Sequence, residues 1–194
     1  MFILKKKKTN GALFIVHGGG YVVGNYMDNL GYACDTAREL GITVISPGHG
    51  LGPEEPFPAG INDLHATWHW LQKEAASMDI DPSKIVVGGI SAGGGIAAGL
   101  VQKLHDEGGI QPAAQLLIYP MLDDRVAANR ELDERSHRVW NNGDSNLFIV
   151  GLHLSNGTVG DIYSDLAKAG AYDSNKIIYI GDFGDIVTGP PKGM

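Results

Sequence analysis

Five short apolar runs punctuate the chain, at Ala12 to Val16, Ile42 to Ser46, Ile85 to Gly88, Leu116 to Tyr119 and Ile177 to Ile180. They are rich in β-branched residues and lack the in-and-out alternation of a half-solvated strand, which predicts parallel strands covered on both faces. Between them, segments of helical character run over about Asn29 to Leu40, Gly60 to Ala76 and Gly93 to Glu107, with a weaker one around Asp161 to Ala169. Strands alternating with helical crossovers predict an α/β chain built on a doubly wound, mostly parallel sheet of about five strands. There are no internal repeats and no linker, so one domain over residues 1–194 is expected.

Composition narrows the class without choosing a function. At 194 residues, with 43% hydrophobic positions and 28 glycines, the chain is long enough for one sizeable core and rich in tight turns. The net charge of −7 disfavours a nucleic-acid partner, and the basic cluster Lys5 to Lys8 reads as a solvated tail. The single cysteine, Cys34, excludes an internal disulfide framework and fits a reducing compartment. Met1 to Leu4 is short and precedes the lysines, unlike an export signal, and no apolar run reaches membrane-spanning length. A cytoplasmic location is therefore expected, and the sequon at Asn156 is read as chance.

The chemistry concentrates at Gly89-Ile90-Ser91-Ala92-Gly93, a G-x-S-x-G sequence between a predicted strand and a predicted helix. Such a turn exposes the serine hydroxyl above the sheet. Its glycines are needed because a side chain two residues before or after the serine would strike the neighbouring strand or helix. A glycine-rich turn can also cradle a phosphate, but the acidic residues at dinucleotide-fingerprint distance, Asp106 and Glu107, end a helix rather than a second strand. The run His17-Gly18-Gly19-Gly20, directly after the first long apolar segment, favours the nucleophile reading. Backbone N–H groups from such a loop, together with that of Ala92, can meet a carbonyl oxygen as it becomes an oxyanion.

In these motifs the sequence resembles the hormone-sensitive-lipase-like branch of the α/β-hydrolase carboxylesterases. The likeness covers residues 12 to about 150 and rests on HGGGYVVGN from His17, GPEEPFPAGINDLHATWHWL from Gly52, DPSKIVVGGISAGGGIAAGL from Asp81 and QLLIYPMLDDR from Gln115. It implies a serine esterase acting on short-to-medium acyl esters, with Ser91 as nucleophile, Gly18, Gly19 and Ala92 as the oxyanion hole, and no metal or organic cofactor. It also implies an acid at the C-terminal edge of the strand Ile177 to Ile180, for which Asp185 is the candidate and Asp182 the reserve.

The likeness is incomplete. The family's D-Y-R-L-A-P is replaced by Gly48-His49-Gly50-Leu51-Gly52-Pro53, and Ile90 stands where an acidic residue often precedes the serine. The fold's chain order requires a histidine after the acid, yet none follows His153. The expectation is thus an incomplete α/β-hydrolase domain, lacking the cap and first strands at its N-terminus and the histidine-bearing loop at its C-terminus. It would be an esterase by descent, or a catalytically incomplete chain that at most binds acyl ligands. His49 and His153 are the histidines that a rearranged site would recruit. His65 and His69 have the four-residue spacing of a metal face, but no glutamate lies between them and Trp68 and Trp70 share the segment, so no metal is expected there. Asp123 and Asp124 read as loop-stabilising.

Overall fold

The computed structural model describes residues 1–5, 10–52, 54–122, 177–180 and 186–188. All five expected strands are present: β2 (Ala12–Val16), β3 (Thr43–Ser46), β4 (Ile85–Ile90), β5 (Ala114–Ile118) and β6 (Ile177–Ile180). They are parallel neighbours in the order β3-β2-β4-β5-β6. Two three-residue strands, β1 (Phe2–Leu4) and β7 (Ile186–Thr188), add antiparallel edges beside β3 and β6 to make seven strands in all. These edges escaped the sequence reading because three residues carry too little periodicity to register.

Three helices stand where the spacing predicts them: α1 (Leu30–Leu40), α2 (Ala59–Glu74) and α3 (Ala92–Glu107). Helix α1 ends at Gly41 in the left-handed conformation, as a C-terminal glycine allows. The expected helix around Asp161 to Ala169 and the loop aspartates Asp123 and Asp124 lie outside the described residues.

Strand β2 explains why the apolar runs do not alternate with polar residues. Ala12, Phe14 and Val16 join a core cluster with Leu64, Trp68 and Leu71 of α2 and Ile96, Leu100 and Leu104 of α3. Leu13 and Ile15, facing the other way, pack with Val44 and with Ala33 and Ala37 of α1. Both faces of β2 are thus dry, as expected for a central strand of a doubly wound sheet. Trp68 fills the larger core, fully buried and edge-on to Phe14 at 6.4 Å between ring centroids.

Helices α2 and α3 approach closely because one of them is bare where they meet. A methyl group on Gly99 would sit 3.2 Å from Ile61 Cδ1, and one on Gly60 would sit 3.8 Å from Ile96 Cδ1. From that contact two stripes at four-residue spacing run onward, His65 and His69 on α2, Lys103 and Glu107 on α3.

Candidate active site

Ser91 lies between the last residue of β4 and the first of α3, at φ 56° and ψ −121°. That region is open to glycine and costs other residues about 1–3 kcal/mol, so the surrounding contacts must enforce it. They are backbone contacts: Ser91 N–H donates to the Ile118 carbonyl at 2.9 Å, and the Ser91 carbonyl accepts from Gly95 N–H at 3.2 Å and Met121 N–H at 3.1 Å. The flanking glycines are required in full. A Cβ on Gly89 would lie 2.1 Å from the Gly93 carbonyl oxygen, and one on Gly93 would lie 2.2 Å from the His17 carbonyl oxygen.

Strands β2 and β4 are in register with Val16 opposite Gly89, so the His17 to Gly20 loop and Ser91 emerge at the same edge of adjacent strands. Gly18 rests directly on the turn; a Cβ there would be 2.9 Å from the Ile90 carbonyl oxygen and 3.3 Å from Ser91 Cβ. Gly19 adopts φ 119° and its carbonyl accepts from Val22 and Val23, while Gly20 follows at φ 59°. Ala92 is buried and opens α3, where the first N–H groups have no acceptor within the helix. Ser91, Ala92, Gly18 and Gly19 are therefore gathered in one place, with His17, Gly20, Gly89 and Gly93 shaping the backbone around them.

The loop is held from behind by residues that the motifs alone did not single out. Tyr21, buried and at φ 67°, donates from its hydroxyl to the Met121 carbonyl at 3.1 Å, tying the glycine loop to the segment after β5. A Cβ on Gly95 would lie 2.6 Å from that hydroxyl, which accounts for the third glycine after Ala92. Buried Asn29 donates to the Ile15 carbonyl at 3.2 Å, and Ser46 donates from Oγ to the Tyr26 carbonyl at 2.9 Å.

His17 is buried and donates from Nδ1 to the Gly18 carbonyl at 2.8 Å. Its ring stacks on His49 at 4.2 Å between centroids, with the planes 10° apart. Burial lowers its pKa, the neighbouring His49 adds to that, and the Gly18 carbonyl and Asp28 carboxylate oppose it. His49 donates from Nδ1 to the Gly50 carbonyl at 2.9 Å, leaving a buried Nε2 without a hydrogen-bond partner. The hydrogen-bonded ring nitrogens of the described histidines face Gly18, Gly50, Glu107 and His65. Asp185, Asp182 and His153 lie outside the described residues.

A family model described as alpha/beta hydrolase fold matches residues 13–169. The chain is 35% identical over 113 residues to the ethyl acetate hydrolase of Pseudomonas putida, covering 58% of this chain and 36% of that protein. It is 41% identical over 104 residues to the carboxylesterase NlhH of Mycobacterium tuberculosis, covering 54% and 33%. The esterase LipW from Mycobacterium marinum superimposes with a TM-score of 0.73 at 28% identity, over 81% of this chain and 50% of that one. The chain spans about a third of the length of the curated relatives it matches.

Proposed function

The chain belongs to the hormone-sensitive-lipase-like branch of the α/β-hydrolase fold family, and from that membership we propose that it carries the nucleophile and oxyanion half of a carboxylic ester hydrolase. The observation that carries the reading is Ser91 held at φ 56° against Gly18, at the start of a helix. Ser91 Oγ attacks the ester carbonyl, the carbonyl oxygen becomes an alkoxide, and the N–H groups of Gly18, Gly19 and Ala92 receive that charge. The proton leaving Ser91 needs a histidine oriented by an acid, for which Asp185 is proposed. No cofactor enters this chemistry, and the substrate is a small-molecule ester.

One observation favours a second reading, in which this chain alone is catalytically incomplete and at most holds acyl ligands: no histidine follows His153 in the sequence. Losing the histidine of such a triad costs about 10⁶ in kcat, or ~8 kcal/mol of barrier. Two measurements separate the readings. A reactive alkyl fluorophosphonate is expected to label Ser91 slowly and to leave Ser91→Ala unlabelled; a label that never reaches Ser91 removes the hydrolase proposal. Turnover of p-nitrophenyl butyrate by the 194-residue chain is expected at or barely above background and hardly altered by Ser91→Ala. Clear turnover that Ser91→Ala abolishes rejects the incomplete reading and directs mutagenesis to His49 and His153.

A further inference from the structure

At the far end of α3, away from the serine, three Lewis-basic atoms from two helices converge. His65 Nε2 lies 2.5 Å from Glu107 Oε2, His69 Nε2 lies 3.0 Å from His65 Nε2, and His69 Nε2 lies 3.9 Å from Glu107 Oε2. Among the described residues this is the group of histidine, cysteine and acidic side chains whose ligand atoms come together closely enough to share one ion. Without an ion, a proton on His65 Nε2 donates to Glu107 Oε2 and also faces the His69 nitrogen. Two imidazoles and a carboxylate around one proton form a donor set that a cation with nitrogen affinity can take over.

The three separations leave room for such a cation at bonding distance from all three atoms. They describe a nearly right-angled triangle with its right angle at His65, so a single point at the middle of the His69–Glu107 edge is about 2 Å from all three atoms. That is the length of a metal–imidazole or metal–carboxylate bond, ~2.0–2.2 Å. Seen from that point, His65 lies at roughly a right angle to the other two donors, which face one another across the ion. Three donors in a T occupy corners of a square plane or an octahedron, not of a tetrahedron, and tetragonal nitrogen and oxygen sites suit Cu²⁺ or Ni²⁺.

The supporting contacts leave the right atom free. Lys103 Nζ donates to Glu107 Oε1 at 2.7 Å, which orients the carboxylate and leaves Oε2 toward the histidines. Trp68 is turned into the core and Trp70 is exposed. His65 is about one-fifth exposed and His69 about half, so solvent reaches the remaining coordination positions.

We propose that His65, His69 and Glu107 form a surface site for a divalent transition metal of tetragonal preference, Cu²⁺ or Ni²⁺, separate from the ester chemistry. No glutamate lies between the two histidines in sequence; the carboxylate comes instead from Glu107 on α3.

The test uses the full, tag-free chain in a Cys34→Ser background, since Cys34 is exposed and a thiol reduces Cu²⁺. Calorimetric titration with Ni²⁺ alone is expected to show one saturable equivalent, weakened at least about tenfold by His69→Gln, His65→Gln or Glu107→Gln and unchanged by His105→Gln on the same helix. Electron paramagnetic resonance of the Cu²⁺ form is expected to give a tetragonal signal with coupling to two imidazole nitrogens, and to one nitrogen in His69→Gln. His69 and Glu107 are exposed and His65 is partly buried, and circular dichroism verifies that each variant is folded. Absence of saturable Ni²⁺ binding, binding indifferent to the three substitutions, or a Cu²⁺ signal unchanged in His69→Gln overturns the proposal.

Discussion

Helix α3 has a different kind of site at each end. At its start, Ser91, Gly18 and Ala92 are placed by backbone: a turn at positive φ, three main-chain hydrogen bonds, and glycines whose absent side chains let strands, helix and loops touch. At its end, Glu107 reaches His65 and His69 through long, partly exposed side chains that bring three atoms together. A site made of backbone tolerates almost no substitution and gives precise placement. A site made of side chains is separable from the fold, so its residues can be exchanged singly and read by what they bind.

The contrast is sharpest in Gly93→Ala. The new methyl would meet the His17 and Val16 carbonyl oxygens at 2.2 and 2.5 Å, and both belong to the backbone of β2 or its continuation, which cannot rotate aside. Overpacking a core commonly costs 1–3 kcal/mol where side chains can adjust; here they cannot, so we expect a loss of at least about 3 kcal/mol in the urea unfolding free energy. A loss under 1 kcal/mol would show that the elbow is looser than its contacts imply and break the comparison.

The same contrast explains what could be read in advance. Gly89, Ser91, Gly93 and His17 to Gly20 are legible because a backbone-built site needs particular residues at fixed short spacings, and the five parallel strands because buried strands write continuous apolar runs. Tyr21 and Gly95 were not legible, since their pairing depends on the segment after β5 crossing over the helix start. The histidine cluster was half legible: the four-residue spacing on α2 is visible, but Glu107 is 38 positions beyond His69 and joins it only because Gly99 lets α2 and α3 close together.

A second substitution reverses the sign. Ser91 is held where a side chain is strained, so Ser91→Gly relieves that strain while giving the unfolded chain more freedom to lose. The balance is an expected gain of ~1 kcal/mol in unfolding free energy, together with loss of the fluorophosphonate label. A destabilised Ser91→Gly would mean that the hydroxyl makes contacts worth more than the strain.

His17 tests the same end through pH. Burial favours its neutral form, so the folded chain holds the proton less tightly than the unfolded chain does. Stability carried by this group is therefore full above the ordinary value of 6.5 and falls as pH drops through 6.5 toward the lowered one. In an NMR titration of the folded chain, the ring C–H resonance of His17 is expected to titrate with a midpoint below 6.5. A midpoint at or above that value would contradict the desolvated, donor-bearing ring on which the glycine loop rests.

The smallest effect expected is at Gly99, six residues along the same helix from Gly93. Alanine in a helix interior is favoured over glycine by up to ~1 kcal/mol. Against that gain stands one contact, 3.2 Å to Ile61 Cδ1, the far end of a side chain that is only partly buried and can give by a few tenths of an ångström. Gly99→Ala should thus raise the unfolding free energy by a few tenths of a kcal/mol, where the same change at Gly93 is severe. It also probes the spacing on which the metal proposal depends, because Gly99 meets Ile61 one turn before His65. Should Gly99→Ala instead cost more than 1 kcal/mol, the α2–α3 interface is as tightly constrained as the elbow, and the two ends of the helix differ less than their contacts suggest.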